Sequence, residues 1–124
     1  RANLWQGTFP AENTAEDGYV WTAPVDALGP QNRFGFYHIT GNVWEWTSDR
    51  WCDKAREAPD CWQEKSRNPN NDPGEVEYVK KGGSFLCHKS YCYRYRVAAR
   101  TKNTANSSAY NVGFRCARAA TDAD

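Results

Sequence analysis

Apolar residues along this chain come in short bursts and not in long periodic runs. The bursts are Tyr19 to Trp21, Phe34 to Ile39, Val43 to Trp46, Tyr78 to Val79, Tyr91 to Ala99 and Val112 to Cys116. Gly, Pro, Asn, Asp and Ser fill the intervals. This pattern predicts short strands joined by many ordered loops, with no long amphipathic helix. A helical turn or two fits Asp53 to Glu64, and "KSRNPNNDPG", Lys65 to Gly74, predicts a surface loop. The expected fold class is mixed α/β with little regular secondary structure.

Composition sharpens this picture. The 124 residues suffice for one modest domain. Six Trp, seven Tyr and no Met mean that the core must lean on aromatic rings, whose polar tips then need partners. Ordering so many loops costs chain entropy, so staples such as disulfides or metal ions are expected. Sixteen Lys plus Arg against fifteen Asp plus Glu leave a net charge of +1, which gives no electrostatic case for a nucleic-acid partner. No apolar run reaches the length of a membrane span, and the segment opening with Arg1 does not read as a signal peptide.

Five cysteines suit an oxidising compartment, and the odd number leaves one thiol without an internal partner. Cys87 and Cys92 are the informative pair. A spacing of five places them on opposite faces of a strand and far apart around a helix, so their sulfurs meet only if the chain turns between them. A structural disulfide, part of a zinc site and a reactive pair all remain open. His88 and Lys89 beside the thiols favour thiolate. Zinc needs four ligands, and Cys52 with Cys61, nine apart, is not a standard knuckle. Two soft thiolates without further soft ligands suit Cu(I). For Cys52 and Cys61 the plain reading is a local disulfide.

At this point a family resemblance enters. "GGSFLCHKSYCYRYRVAAR", residues 82 to 100, and "NVGFRCA", residues 111 to 117, resemble the C-terminal half of formylglycine-generating enzymes, the sulfatase-modifying factor family. "GNVWEWTSD", residues 41 to 49, and "ANLWQGTFPAENTAEDGY", residues 2 to 19, fit the same family in the same order. The stretch from about Trp51 to Glu77 carries no resemblance. The resemblance implies the family fold, related to C-type lectins and stapled by calcium. It also implies that residues 1 to 124 are the C-terminal, active-site part of a domain whose upstream part lies elsewhere.

The implied activity is that of a copper-dependent oxidase. It converts a cysteine within a Cys-x-Pro-x-Arg sequence of a sulfatase to Cα-formylglycine with O2. Cys87 and Cys92 match the family's active-site cysteines and would bind Cu(I). Ser84 matches an active-site serine. His88 and Trp44 match residues that line the pocket, and Asn111 lies in a matching stretch. The first calcium site would use Asn3, Leu4, Asp17 and Tyr19. The second would use Gly41, Val43 and Glu45. There His38 stands where the family has an asparagine, and imidazole is a poor calcium ligand. Cys116 matches a cysteine whose partner lies upstream.

Implied partners are a nascent or unfolded sulfatase chain, O2 and a separate N-terminal half, with no nucleic acid and no membrane span. The cysteines, and an Asn106-Ser107-Ser108 glycosylation acceptor, point to the endoplasmic reticulum lumen or a secreted setting. The bacterial cytoplasm is the alternative. Two other classes fit the same fold: a non-catalytic lectin-like binding module, and a regulatory paralogue that lacks the cysteine pair.

Overall fold

The structure is a computed structural model and describes residues 1–52 and 76–121. Its regular part is one four-stranded sheet: β1 (Trp44–Arg50), β2 (Glu77–Lys81), β3 (Thr101–Thr104) and β4 (Val112–Gly113). The spatial order is β3-β2-β1-β4. β2 runs antiparallel to both β1 and β3, while β4 pairs in parallel with β1.

The protein is mostly sheet and loop. Among the described residues there is no α-helix, only a 3-10 turn at Tyr93–Tyr95. The helical half of the expected class therefore has no counterpart there. The segment expected to hold helical turns, Asp53 to Glu64, and the loop Lys65 to Gly74 lie outside the described residues, as does Cys61.

The bursts at Val43–Trp46 and Tyr78–Val79 fall on β1 and β2, while Val112–Cys116 yields only the short β4. Tyr19–Trp21, Phe34–Ile39 and Tyr91–Ala99 form no strand. Their rings pack without backbone pairing. Trp21 sits edge-on to Phe85 and Tyr110 at centroid distances of 5.8 and 6.3 Å. Phe9 stacks on Tyr91 at 3.9 Å. β3, "TKNT", escapes the apolar pattern because its four residues are polar and all half-buried. It forms because β2 offers a free edge and Thr tolerates the pleat.

Among the described residues the buried apolar members of the core are Ala23, Trp44, Cys52, Val79, Phe85 and Cys87. Buried polar groups do the rest of the knitting. Asn42 ties three loops together. Its Oδ1 accepts from Ala23 N (2.8 Å) and Asn3 Nδ2 (3.2 Å), and its backbone carbonyl accepts from Phe85 N (2.8 Å). Gly41 lets these loops close. With φ at +82°, an added Cβ would lie 2.3 Å from the Asn3 carbonyl oxygen, so only glycine fits.

Candidate active site

β2 ends at Lys81 and the chain turns through Gly82 and Gly83 into the segment that carries the cysteines. Ser84 to Cys87 forms a tight turn. Cys87 N donates to the Ser84 carbonyl at 2.8 Å, and Ser84 N approaches the Cys87 Sγ at 3.4 Å. His88 starts a second turn. Its carbonyl accepts from Cys92 N at 2.8 Å, and its ring Nδ1 lies 2.7 Å from Ser90 Oγ. This second turn is the bend that a spacing of five requires, and it returns Cys92 to Cys87.

Cys87 is buried, Cys92 half-buried, and neither is bridged. The two thiols line one cavity, and each shifts the titration of the other. The Cys87 thiol, helped by the backbone N–H and charge of Arg94, draws the Cys92 thiol down to about 6 against the cost of desolvation. Cys92, with burial, pushes the Cys87 thiol up. The pair is thereby biased towards one thiol and one thiolate, with the charge on Cys92. Among the described residues no group of three His, Cys, Asp or Glu side chains is placed to hold a metal, so nothing there completes a four-ligand zinc site.

Ser84, Trp44 and Asn111 line the same cavity as the two cysteines, a space of about 290 Å³. Ser84 is fully buried and its Oγ accepts from Asn111 Nδ2 at 3.2 Å. Asn111 is fixed in turn because its carbonyl accepts from Trp44 N at 2.8 Å. His88 stands apart. It lines a neighbouring cavity of about 420 Å³ with Trp5, Gln6, Glu16 and Lys89, and Cys87 is the sulfur common to both spaces. Sequence reasoning missed Lys80, Tyr91 and Arg94, which also line the cysteine cavity. Lys80 looks in sequence like one more strand lysine. Burial and the charge of the cysteines raise the Tyr91 hydroxyl to about 12, and it donates to the Leu86 carbonyl.

The two expected calcium sets differ. Asn3 is fully buried, its Nδ2 donates to the Trp21 carbonyl at 2.7 Å, and its Oδ1 has no partner. Asp17 lies against the same loop, accepting from Leu4 N (3.2 Å) and Tyr19 N (3.0 Å). An orphaned buried oxygen on the loop that the Asp17 carboxylate braces fits a hard cation. The second set does not fit. Both Glu45 carboxylate oxygens accept from Arg115, Oε2 at 2.7 Å and Oε1 at 2.5 Å, and His38 Nε2 is committed to the Pro24 carbonyl at 2.9 Å. A carboxylate already neutralised by a guanidinium, with an imidazole in place of an amide oxygen, is a poor calcium set. Cys52 is buried and Cys116 is exposed and free.

A dithiol cavity on a loop-rich sheet domain defines a thiol-chemistry module, and comparison with known proteins places it. The profile of the Sulfatase-modifying factor enzyme 1-like domain matches residues 1–120, so the chain belongs to that family. It is 57% identical over 116 residues to the formylglycine-generating enzyme of Bos taurus, covering 94% of this chain and 29% of that protein. It is 55% identical over 119 residues to the formylglycine-generating enzyme of Thermomonospora curvata, covering 94% and 38%. Identity to the inactive C-alpha-formylglycine-generating enzyme 2 of Mus musculus is 38% over 122 residues, covering 97% and 33%. The chain thus spans about a third of the length of these curated relatives. Among the described residues no helix is long and apolar enough to cross a membrane.

Proposed function

We propose that this chain carries the active-site part of a formylglycine-generating oxidase that matures sulfatases. The observation that carries the reading is the unbridged Cys87–Cys92 pair, brought together in one cavity with Ser84, Trp44 and Asn111. The substrate is a Cys-x-Pro-x-Arg segment of an unfolded sulfatase, and the oxidant is O2. Turning a CH2–SH group into CH=O removes two electrons from the substrate and releases its sulfur as sulfide. Reduction of O2 to water takes four electrons, so a thiol reductant supplies the other two.

Cys87 and Cys92 would hold Cu(I), a soft ion matched to thiolates, and when bound it supplies the redox step. The chain's own residues position and exclude. The Cys92 thiol is biased towards thiolate, Ser84 and Asn111 hold fixed polar groups at the cavity wall, and Trp44 lines it. Asn3, Leu4, Asp17 and Tyr19 would hold one calcium ion as a staple, and Cys52 would close its loop by a disulfide to Cys61. An endoplasmic reticulum or secreted setting suits those staples.

The test is turnover. The chain is loaded with Cu(I) and given a Cys-Thr-Pro-Ser-Arg peptide, air and a dithiol, and aldehyde is followed by mass spectrometry. Aldehyde lost in Cys87→Ser and in Cys92→Ser supports the oxidase. Aldehyde formed only when the remaining part of the domain is supplied supports the same chemistry in a longer protein. No aldehyde in either case overturns the reading in favour of a non-catalytic binding module. The calcium assignment has its own readout: added Ca2+ should raise the melting temperature, and Asp17→Asn should abolish the rise. At a hundredfold excess over the dissociation constant the gain is about 2.7 kcal/mol.

A further inference from the structure

Most of the described asparagines have a structural task. Asn3 and Asn42 knit the buried loop junction, Asn13 and Asn32 accept backbone N–H groups in turns, and Asn111 donates to Ser84 Oγ. Asn42 also sits at φ +64°, in the left-handed region that asparagine enters more readily than most residues. Asn106 has none of these tasks. It is exposed, its backbone lies outside the left-handed region, and its side-chain amide has no hydrogen-bond partner among the described residues.

The residues on either side hold the chain in place there instead. β3 ends at Thr104, and the backbone then reverses. Ser107 N donates to the Thr104 carbonyl at 3.0 Å, and the Thr104 and Ser107 hydroxyls share a hydrogen bond at 2.6 Å. Ala105 N donates to the Val76 carbonyl at 2.8 Å, which fastens the turn to the segment entering β2. Asn106 is therefore the third residue of a turn braced at both shoulders, with its amide left to solvent. Ser108 is exposed as well. Asn106-Ser107-Ser108 is also the one Asn-x-Ser or Asn-x-Thr triplet in the 124 residues, and its middle residue is not proline.

We infer that Asn106 is the acceptor of an N-linked glycan, delivered from a lipid-pyrophosphate-linked oligosaccharide. Asn106 Nδ2 forms a bond to the anomeric carbon of the first sugar. The bond from that carbon to the pyrophosphate oxygen breaks, and the lipid pyrophosphate leaves with the electron pair. One amide proton passes to a base of the transferase, and nothing is oxidised or reduced. The Ser108 hydroxyl is the group that completes the acceptor triplet. The site suits a bulky group. Thr101 and Asn103 of β3 line the cysteine cavity, but Asn106 lines neither that cavity nor the one beside His88. Among the described strands β3 is an edge of the sheet, and a hydrophilic glycan at its end guards that edge against pairing with another chain. The inference rests on the secretory setting proposed above and not on the oxidase chemistry.

The full chain, fused to a secretion signal and made in cultured animal cells, provides the test. Peptide mapping by mass spectrometry should find an N-acetylhexosamine-linked glycan on Asn106. Peptide N-glycosidase F in heavy-oxygen water should release it and leave a labelled aspartate at that position. The mapping is done on both secreted and retained chain, so a failure to leave the cell does not obscure the result. Asn106→Gln should abolish the glycan. Ser108→Ala should abolish it too, although the asparagine remains, and Ser108→Thr should retain it. An unmodified Asn106 in the wild-type chain overturns the site, as does a glycan that persists in Ser108→Ala. The signal supplies the compartment and no turnover is measured, so failure of the oxidase reading and failure of this one are told apart.

Discussion

Trp44 and Glu45 are neighbours on β1, and strand alternation sends them to opposite faces of the sheet, each into its own cavity. The cavity on the Glu45 side is the larger, about 560 Å³ against about 290 Å³, with Val25, Phe36 and Phe114 among its walls. Its charges are closed: Arg115 holds Glu45 through both oxygens and reaches the Tyr37 carbonyl at 2.9 Å. On the Trp44 side the charges are open. Lys80 has no carboxylate partner among the described residues, and Cys92, which lines the same cavity, is drawn towards thiolate. Volume points to one cavity and unfinished electrostatics to the other. Chemistry belongs where charge is left unsatisfied, because a neutralised pair has already spent its field on itself.

Breaking one side should leave the other intact. The largest effect is expected from Gly83→Ala. Its φ is +74°, and a Cβ would meet the Tyr95 Cβ at 2.7 Å and Cα at 2.9 Å. Stability should drop by about 2 kcal/mol or more, seen as a lower urea midpoint. The low titration of Cys92 should be lost with the turn, while Glu45 and Arg115 stay paired. A variant as stable as wild type would show that the Gly82–Gly83 bend does not lock the cysteine segment.

A shift of intermediate size should appear in the metal-free chain on alkylation of Cys92 by iodoacetamide. A depressed thiol pKa keeps the thiolate as pH falls, so the rate should persist down to about pH 6 and drop below it. An ordinary cysteine would lose its rate near pH 8.5. A midpoint at the ordinary value would place the pair outside the thiol–thiolate arrangement.

The smallest effect belongs to the closed side. Glu45→Gln should cost about 1 kcal/mol, since the pair is bidentate yet partly solvated, with Arg115 37% exposed. Cysteine alkylation should not change. A calcium response lost in Glu45→Gln and kept in Asp17→Asn would reverse the assignment of the two loop sites.

Much of the chemistry was legible in the residues. The spacing of Cys87 and Cys92 demanded a turn, and the His88–Cys92 bond supplies it. The bursts at Val43–Trp46 and Tyr78–Val79 marked the two central strands. The other aromatic bursts misled, because rings such as Trp21 and Phe85 bury area edge-on without any strand pairing. β3 was invisible because its stability comes from the β2 edge and not from apolar residues.

By itself the sequence determined the family, the pair of thiols and the oxygen-rich loop around Asn3 and Asp17. These depend on residue type and local spacing, which a linear string records. Only the tertiary structure decided that Arg115 reaches back seventy positions to close Glu45, that His88 lines a different space from Ser84, and that Lys80 is buried with no carboxylate partner among the described residues. Whether a charge finds a partner is a property of three-dimensional neighbours. Electrostatic energy falls with distance through space, and the chain sets that distance only once it has folded.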